Sequence, residues 1–205
     1  MIAIVDYGVG NLFSLSSSFR SIGADILVTG DPETIRSAEK IILPGVGAFG
    51  DAAELLRKNG LDQVVIEAAK SGTPLLGICL GMQLLLERSF EYGEHKGLGL
   101  IPGDVVPMAP VVPGGYKVPH IGWNALHFPK SKPVSPLFRY IKEGDCVYFV
   151  HSYYGSRCDE SVIATAEYGR SLTAAVACGN VYGTQFHPEK SGPVGLNILR
   201  AFCEL

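Results

Sequence analysis

No stretch of this 205-residue sequence reaches about 18 uninterrupted apolar residues, the length that a membrane-crossing helix needs. It also lacks a basic excess: lysine and arginine total 17 against 20 acids, a net charge of −3. A general nucleic-acid binder, which requires a basic face, is therefore disfavoured. Missing too are CxxC pairs and Cys/His clusters at zinc-ligand spacing; the five cysteines, Cys79, Cys146, Cys158, Cys178 and Cys203, are odd in number and far apart. That usage predicts no metal site and fits a reducing, cytoplasmic compartment better than a disulfide framework. The opening Met1-Ile2-Ala3-Ile4-Val5-Asp6 has no positive n-region and turns acidic at once, so it reads as a buried strand rather than a signal peptide. Internal repeats and low-complexity linkers are absent, and residues 1–205 are expected to form a single domain.

What is present is core material. Hydrophobic residues make up 47% of the chain and charged residues only 18%, enough to bury a sizeable interior. In the first half, short apolar runs (Ile2–Asp6, Ala24–Thr29, Lys40–Leu43, Pro74–Ile78) alternate with helical spacing. Helices are predicted from Asn11 or Ser14 to about Ile22, over Ala52–Lys58 and Leu61–Lys70, and from Leu80 to Arg88. This order implies a mostly parallel sheet with helices on both faces. The second half differs. Strand-like segments at 118–126, 145–150, 161–167, 172–177 and 181–186 suggest an added antiparallel layer, closed by a helix from Gly192. Ligands of open parallel sheets bind beyond the carboxyl ends of the strands, which singles out residues 6–11, 44–50, 77–83 and 185–190.

Within those segments, Gly77-Ile78-Cys79-Leu80-Gly81 has the pattern of a strand, a sharp turn flanked by glycines, and a helix. It matches a nucleophile elbow with sulfur in place of oxygen. The Leu80 N–H would face the same space as the sulfur, ready to donate to an oxyanion. A lone cysteine is more often a buried structural one; the flanking glycine pattern favours the nucleophile. His187 lies in Gln185-Phe186-His187-Pro188-Glu189 directly after a predicted strand, and Pro188 forces it into extended backbone. Residues two apart in such a segment share a side, so Glu189 would orient the His187 ring. Pro44-Gly45-Val46-Gly47 can aim a second N–H into the same space, although glycine-rich turns of this kind are common. Asp6-Tyr7-Gly8-Val9-Gly10 lacks the spacing of a dinucleotide loop, and no cofactor is expected.

Taken together, Gly77-Ile78-Cys79-Leu80-Gly81-Met82-Gln83 and His187-Pro188-Glu189 resemble the class I, triad-type glutamine amidotransferases. Three further segments narrow the resemblance: Asp6-Tyr7-Gly8-Val9-Gly10-Asn11-Leu12, Pro44–Phe49 and Pro119-His120-Ile121-Gly122-Trp123-Asn124. They are similar to the glutaminase subunits of imidazole glycerol phosphate synthase, with Ile121 where methionine is frequent. The resemblance implies a flavodoxin-like α/β fold and a Cys79, His187, Glu189 triad that releases ammonia from L-glutamine. It implies oxyanion donors at the Val46 and Leu80 backbone, and substrate contacts at Gly47, Gln83, Ser152 and Tyr153. It further implies a (β/α)₈-barrel cyclase partner, met by Asn11, His120 and Trp123, in a heterodimer serving histidine biosynthesis. Rival readings are another glutaminase or γ-glutamyl hydrolase of the same fold, or a silent binding module that keeps the fold without the chemistry. Residues 130–136 carry no usable motif.

Overall fold

The computed structural model describes residues 1–205. The first half runs β1 (Ile2–Val5), α1 (Leu12–Ser21), β2 (Ile26–Thr29), α2 (Pro32–Ser37), β3 (Lys40–Leu43), α3 (Phe49–Lys58), α4 (Leu61–Lys70), β4 (Leu75–Ile78) and α5 (Leu80–Leu85). The second half is mostly strand: β5 (Arg88–Ser89), β6 (His95–Lys96), β7 (Asp104–Pro107), β8 (His120–Ala125), β9 (Cys146–His151), β10 (Tyr153–Ser156), β11 (Val162–Glu167), β12 (Ser171–Cys178) and β13 (Val181–Thr184). Helix α6 (Gly192–Cys203) closes it. No helix is long and apolar enough to cross a membrane.

Seven strands form the main sheet in the order β11-β12-β13-β4-β3-β1-β2. The five from β13 to β2 are parallel, while β11 and β12 are antiparallel additions at one edge. Alternation along each parallel strand splits the core in two. Ala3, Val5, Ile41, Leu43 and Leu75 face α3, α4 and α5. Ile2, Ile4, Ile42, Leu76 and Ile78 face α1 and α6, whose Leu15, Phe19, Ile198 and Phe202 are buried against them. Every central strand is thus covered on both faces, which is why these runs are apolar at every position.

The expected mostly parallel sheet with helices on both faces is borne out, and the antiparallel part is distributed. The segments at 161–167 and 172–177 widen the main sheet, whereas β8 and β9 form a separate two-stranded ribbon. A further four-stranded sheet, β10-β7-β5-β6, arises from segments with no strand signal in the sequence. It explains why α5 stops at Leu85 instead of running to Arg88. The carbonyls of Leu84, Leu85 and Leu86 accept from the N–H groups of Leu98, Leu100 and Gly99 at 2.8–3.1 Å. The Arg88 guanidinium is meanwhile drawn to buried Asp104 at 2.7 Å. Tertiary partners take over the carbonyls that another helical turn would have used. Helix α3 begins earlier than expected for a similar reason: the Phe49 N–H donates to the Glu91 carboxylate at 2.6 Å, a cap supplied from 42 residues away.

Where α5 crosses the end of β3, backbone meets backbone. A Cβ on Gly81 would press into the Leu43 carbonyl, and one on Gly45 would stand 2.8 Å from the Gly81 nitrogen. Gly81→Ala is therefore expected to destabilise the chain by about 2 kcal/mol or more. Urea denaturation measures this directly; an unchanged midpoint would mean that the helix can back away from the sheet.

Candidate active site

Cys79 occupies the single residue between β4 and α5, with φ 55° and ψ −110°. A side chain there strains the backbone by roughly 1–3 kcal/mol. The conformation persists because both sides of the residue are tied. Its N–H donates to the Thr184 carbonyl at 2.7 Å, and its carbonyl accepts the first helical bond, from Gln83, at 3.2 Å. Gly77 and Gly81 flank it because neither position has room for a Cβ: one on Gly77 would lie 2.6 Å from the Gly81 oxygen. The Leu80 N–H opens the helix, where no preceding turn can accept from it.

His187 follows β13 with φ −99° and ψ 99°, extended as the next proline demands. The chain does not stay extended to Glu189 as expected. Pro188–Lys190 forms a 3-10 turn, and that turn brings the Glu189 carboxylate to 2.8 Å from His187 Nδ1. Both side chains are 3% exposed. The other carboxylate oxygen, Oε2, is buried without a hydrogen-bond partner, so the carboxylate's charge is compensated chiefly by His187. Burial by itself would lower the imidazole; hydrogen bonds to Cys79 and Glu189 outweigh it and raise His187 to about 9. The ring thus meets the Glu189 carboxylate through Nδ1, with the Cys79 sulfur as the second group that favours its charged form.

The three segments 44–50, 77–83 and 185–190 do converge. Val46, Gly47, Cys79, Leu80, Gln83 and His187 line one cavity of about 330 Å³, together with His151, Ser152 and Tyr153. Residues 6–11 stand behind it instead: the Tyr7 hydroxyl donates to the Pro44 carbonyl at 2.8 Å, fixing the base of the glycine loop. Burial and the neighbouring Cys79 push the Tyr7 phenol upward, so this donor keeps its proton. Glu91, which sequence reasoning missed, also lines the cavity, as do Pro119 and Lys190 from segments it had singled out. Glu91 and Lys190 give it one carboxylate and one ammonium.

Residues 3–204 match the family model "Glutamine amidotransferase class-I". The chain belongs to the class-I glutamine amidotransferases. Among its relatives is the imidazole glycerol phosphate synthase subunit HisH of Geobacillus sp. (strain WCH70), 49% identical over 100% of this chain and 97% of that protein. The protein of the same name from Geobacillus kaustophilus (strain HTA426) is 51% identical over 98% and 95%. A crystal structure of a glutamine amidotransferase superposes with a TM-score of 0.76 at 20% identity, covering 100% of this chain and 98% of that one. This last likeness concerns the fold alone.

The residues expected at a partner surface of this amidotransferase fare differently. Trp123 is 57% exposed, while Asn11 is half-buried and accepts from the Ser14 N–H as the N-cap of α1. His120 is not a surface residue. It is 4% exposed, stacked between Phe149 and Tyr168 at 4.9 and 4.0 Å, and hydrogen-bonded at 3.1 Å to His151. Its side chain acts inside the fold. All five cysteines are free, and Cys146 and Cys178 are exposed.

The elevated His187 depends on both neighbours, so removing the thiol in Cys79→Ala should lower it. An NMR titration of the His187 ring reads the change. Because the folded value lies above that of the unfolded chain, its stabilising contribution is complete below about pH 6.5 and lost as pH rises through about 9. An unshifted titration in Cys79→Ala would mean that Glu189 alone sustains the imidazolium.

Proposed function

We propose that this chain is the glutaminase subunit of an imidazole glycerol phosphate synthase. In this reading it hydrolyses L-glutamine and passes ammonia to a (β/α)₈-barrel cyclase, which makes imidazole glycerol phosphate and aminoimidazole-carboxamide ribonucleotide for histidine biosynthesis. The single observation that carries the chemistry is His187 beside Cys79 and hydrogen-bonded to a buried Glu189 at the wall of one cavity. The full-length relatives bearing the HisH name support the subunit assignment.

Cys79 sulfur attacks the side-chain amide carbon of glutamine, and the carbonyl oxygen takes the negative charge. The Leu80 and Val46 N–H groups are the donors for that oxyanion. His187 gives its proton to the leaving nitrogen, so ammonia departs and a γ-glutamyl thioester remains. Neutral His187 then takes a proton from water as the water adds to the thioester. Collapse returns glutamate and releases the Cys79 sulfur, with the proton back in the Cys79–His187 pair. Gly47, Gln83, Ser152 and Tyr153 form the walls that orient the amino-acid head. Glu91 and Lys190 complement its ammonium and carboxylate. A silent binding module would have no need for a strained cysteine beside a buried His–Glu pair, and this counts against that reading.

Losing the nucleophile should separate the two chemistries. In the complex, Cys79→Ala is expected to cut glutamine-driven product by at least about a thousandfold while ammonium-driven product persists. An equal loss of both would make Cys79 structural. The chain alone is further expected to be a poor glutaminase that its partner, with nucleotide bound, accelerates. Val46 lies between two glycines, so its peptide has few steric restraints on where the N–H points. A missing oxyanion donor lowers the rate by roughly 10²–10³-fold. Glutamate release by the chain alone, with partner, and with partner plus nucleotide tests the coupling, and equal turnover in all three refutes it. Trp123→Ala should blunt the response.

A further inference from the structure

We infer that Gln185 acts directly on the nucleophile, holding the Cys79 sulfur through a carboxamide N–H whose direction the Tyr153 carbonyl dictates. The inference rests on the glutaminase reading above and adds a residue to it. Gln185 is fully buried, and its Nε2 lies 3.9 Å from Cys79 Sγ. Nothing in the triad requires a polar side chain at this place, and a buried carboxamide is costly unless its groups are satisfied.

The orientation follows from one acceptor. A backbone carbonyl cannot donate, so whatever meets the Tyr153 oxygen must present hydrogen. Two groups meet it: His151 Nδ1 at 2.8 Å and Gln83 Nε2 at 3.2 Å. Gln83 is thereby fixed with its NH₂ inward. The second hydrogen of that NH₂ reaches Gln185 Oε1 at 3.0 Å. With its oxygen engaged, Gln185 can offer only its NH₂ to the sulfur. Turning Gln185 over would set two NH₂ groups against each other and an oxygen against the thiolate. The Gln185 backbone is itself held by the Ala174 carbonyl at 2.8 Å.

The other branch from Tyr153 keeps its direction in the same way. His151 donates from Nδ1, so its Nε2 is bare and accepts from His120 Nδ1 at 3.1 Å. His120 Nε2 then accepts from Asn124 Nδ2 at 3.4 Å. Asn124 cannot flip, because Nδ2 also donates to the Glu167 carbonyl and Oδ1 accepts from the Ala125 N–H. Protonating either imidazole would set hydrogen against hydrogen. Burial lowers both, His151 to about 4, in keeping with a neutral pair. The chain of donors thus runs from Asn124 to the Tyr153 carbonyl, and from Gln83 through Gln185 to the sulfur.

At the sulfur, a donor favours the thiolate over the thiol and fixes where its lone pairs point. Once the sulfur is acylated it carries no charge, and most of this stabilisation is gone. The donor thus raises the share of Cys79 that stands as thiolate before attack, and removing it should reduce kcat more than it affects KM.

The test compares the full chain with Gln185→Met, which keeps length but has no donor, and Gln185→Glu, which sets an oxygen near the sulfur. Gln185→Met should slow both kcat for glutamine and iodoacetamide alkylation of Cys79 by about tenfold, with KM within about twofold, and Gln185→Glu should slow them further. Exposed Cys146 and Cys178, followed by mass spectrometry in the same samples, should alkylate at unchanged rates. Independently of any variant, the Gln185 side-chain amide resonances of the native chain should move when Cys79 is alkylated. Two variants with wild-type rates, or native amide resonances indifferent to alkylation, would overturn the inference. Should neither variant fold, the native resonances decide it. If a glutamine-like electrophile labels Cys79 of the unaltered chain no faster than Cys146 or Cys178, the glutaminase reading falls and this inference with it.

Discussion

The peptide of Cys79 is the constraint on which the rest of the pocket depends. It holds a side chain at φ 55°, and it does so between two hydrogen bonds that come from different parts of the fold. One is the Thr184 carbonyl at the end of β13, the other the first turn of α5. The same β13 leads directly into Gln185 and His187, so the strand that pins the elbow also delivers the imidazole beside it. Backbone contact at Gly45, Gly77 and Gly81 sets how close these pieces come. Little of this is side-chain packing. The sheet end behaves as a rigid frame in which sulfur, imidazole and amide donors have fixed separations, the condition under which aligned dipoles help most.

Around that frame, burial and hydrogen bonding pull titratable groups apart. His187 and His151 line the same cavity and are both nearly inaccessible, yet one is raised to about 9 and the other lowered to about 4. The difference lies in their partners. His187 faces a carboxylate and a sulfur, which favour the charged ring, whereas His151 faces a carbonyl and a second imidazole, which favour a neutral one. Burial pushes both down; only the company decides which stays charged. Two histidines in one cavity thereby settle in opposite charge states.

Most of the candidate site was legible locally. Glycines at 77 and 81 around a cysteine, and a proline after a histidine, are short-range signals whose physical meaning does not depend on the rest of the chain. The parallel strands were equally legible, being uniformly apolar and closed by glycine or proline. What escaped depends on distant partners. Glu91 reaches the cavity from a hairpin with only two residues per strand, too short for any periodicity. The start of α3 and the end of α5 are set by donors and acceptors that no local window contains. His120 was placed at the right strand and given the wrong side, because Phe149 and Tyr168, which enclose it, lie 29 and 48 residues further along. The turn at Pro188–Lys190 was read as extended chain, although Glu189 ends beside His187 by either route.

Glu91 carries a double duty. One carboxylate oxygen is committed to the Phe49 N–H at the start of α3, while the residue also lines the cavity and the wider groove beside that helix. The carboxylate that faces the cavity is thus also the one that holds a helix terminus. Any substitution of Glu91 alters two things at once, the charge of the chamber and the footing of a helix that packs on the main sheet. Changes in ligand preference and changes in thermal resistance at this position are inseparable by construction.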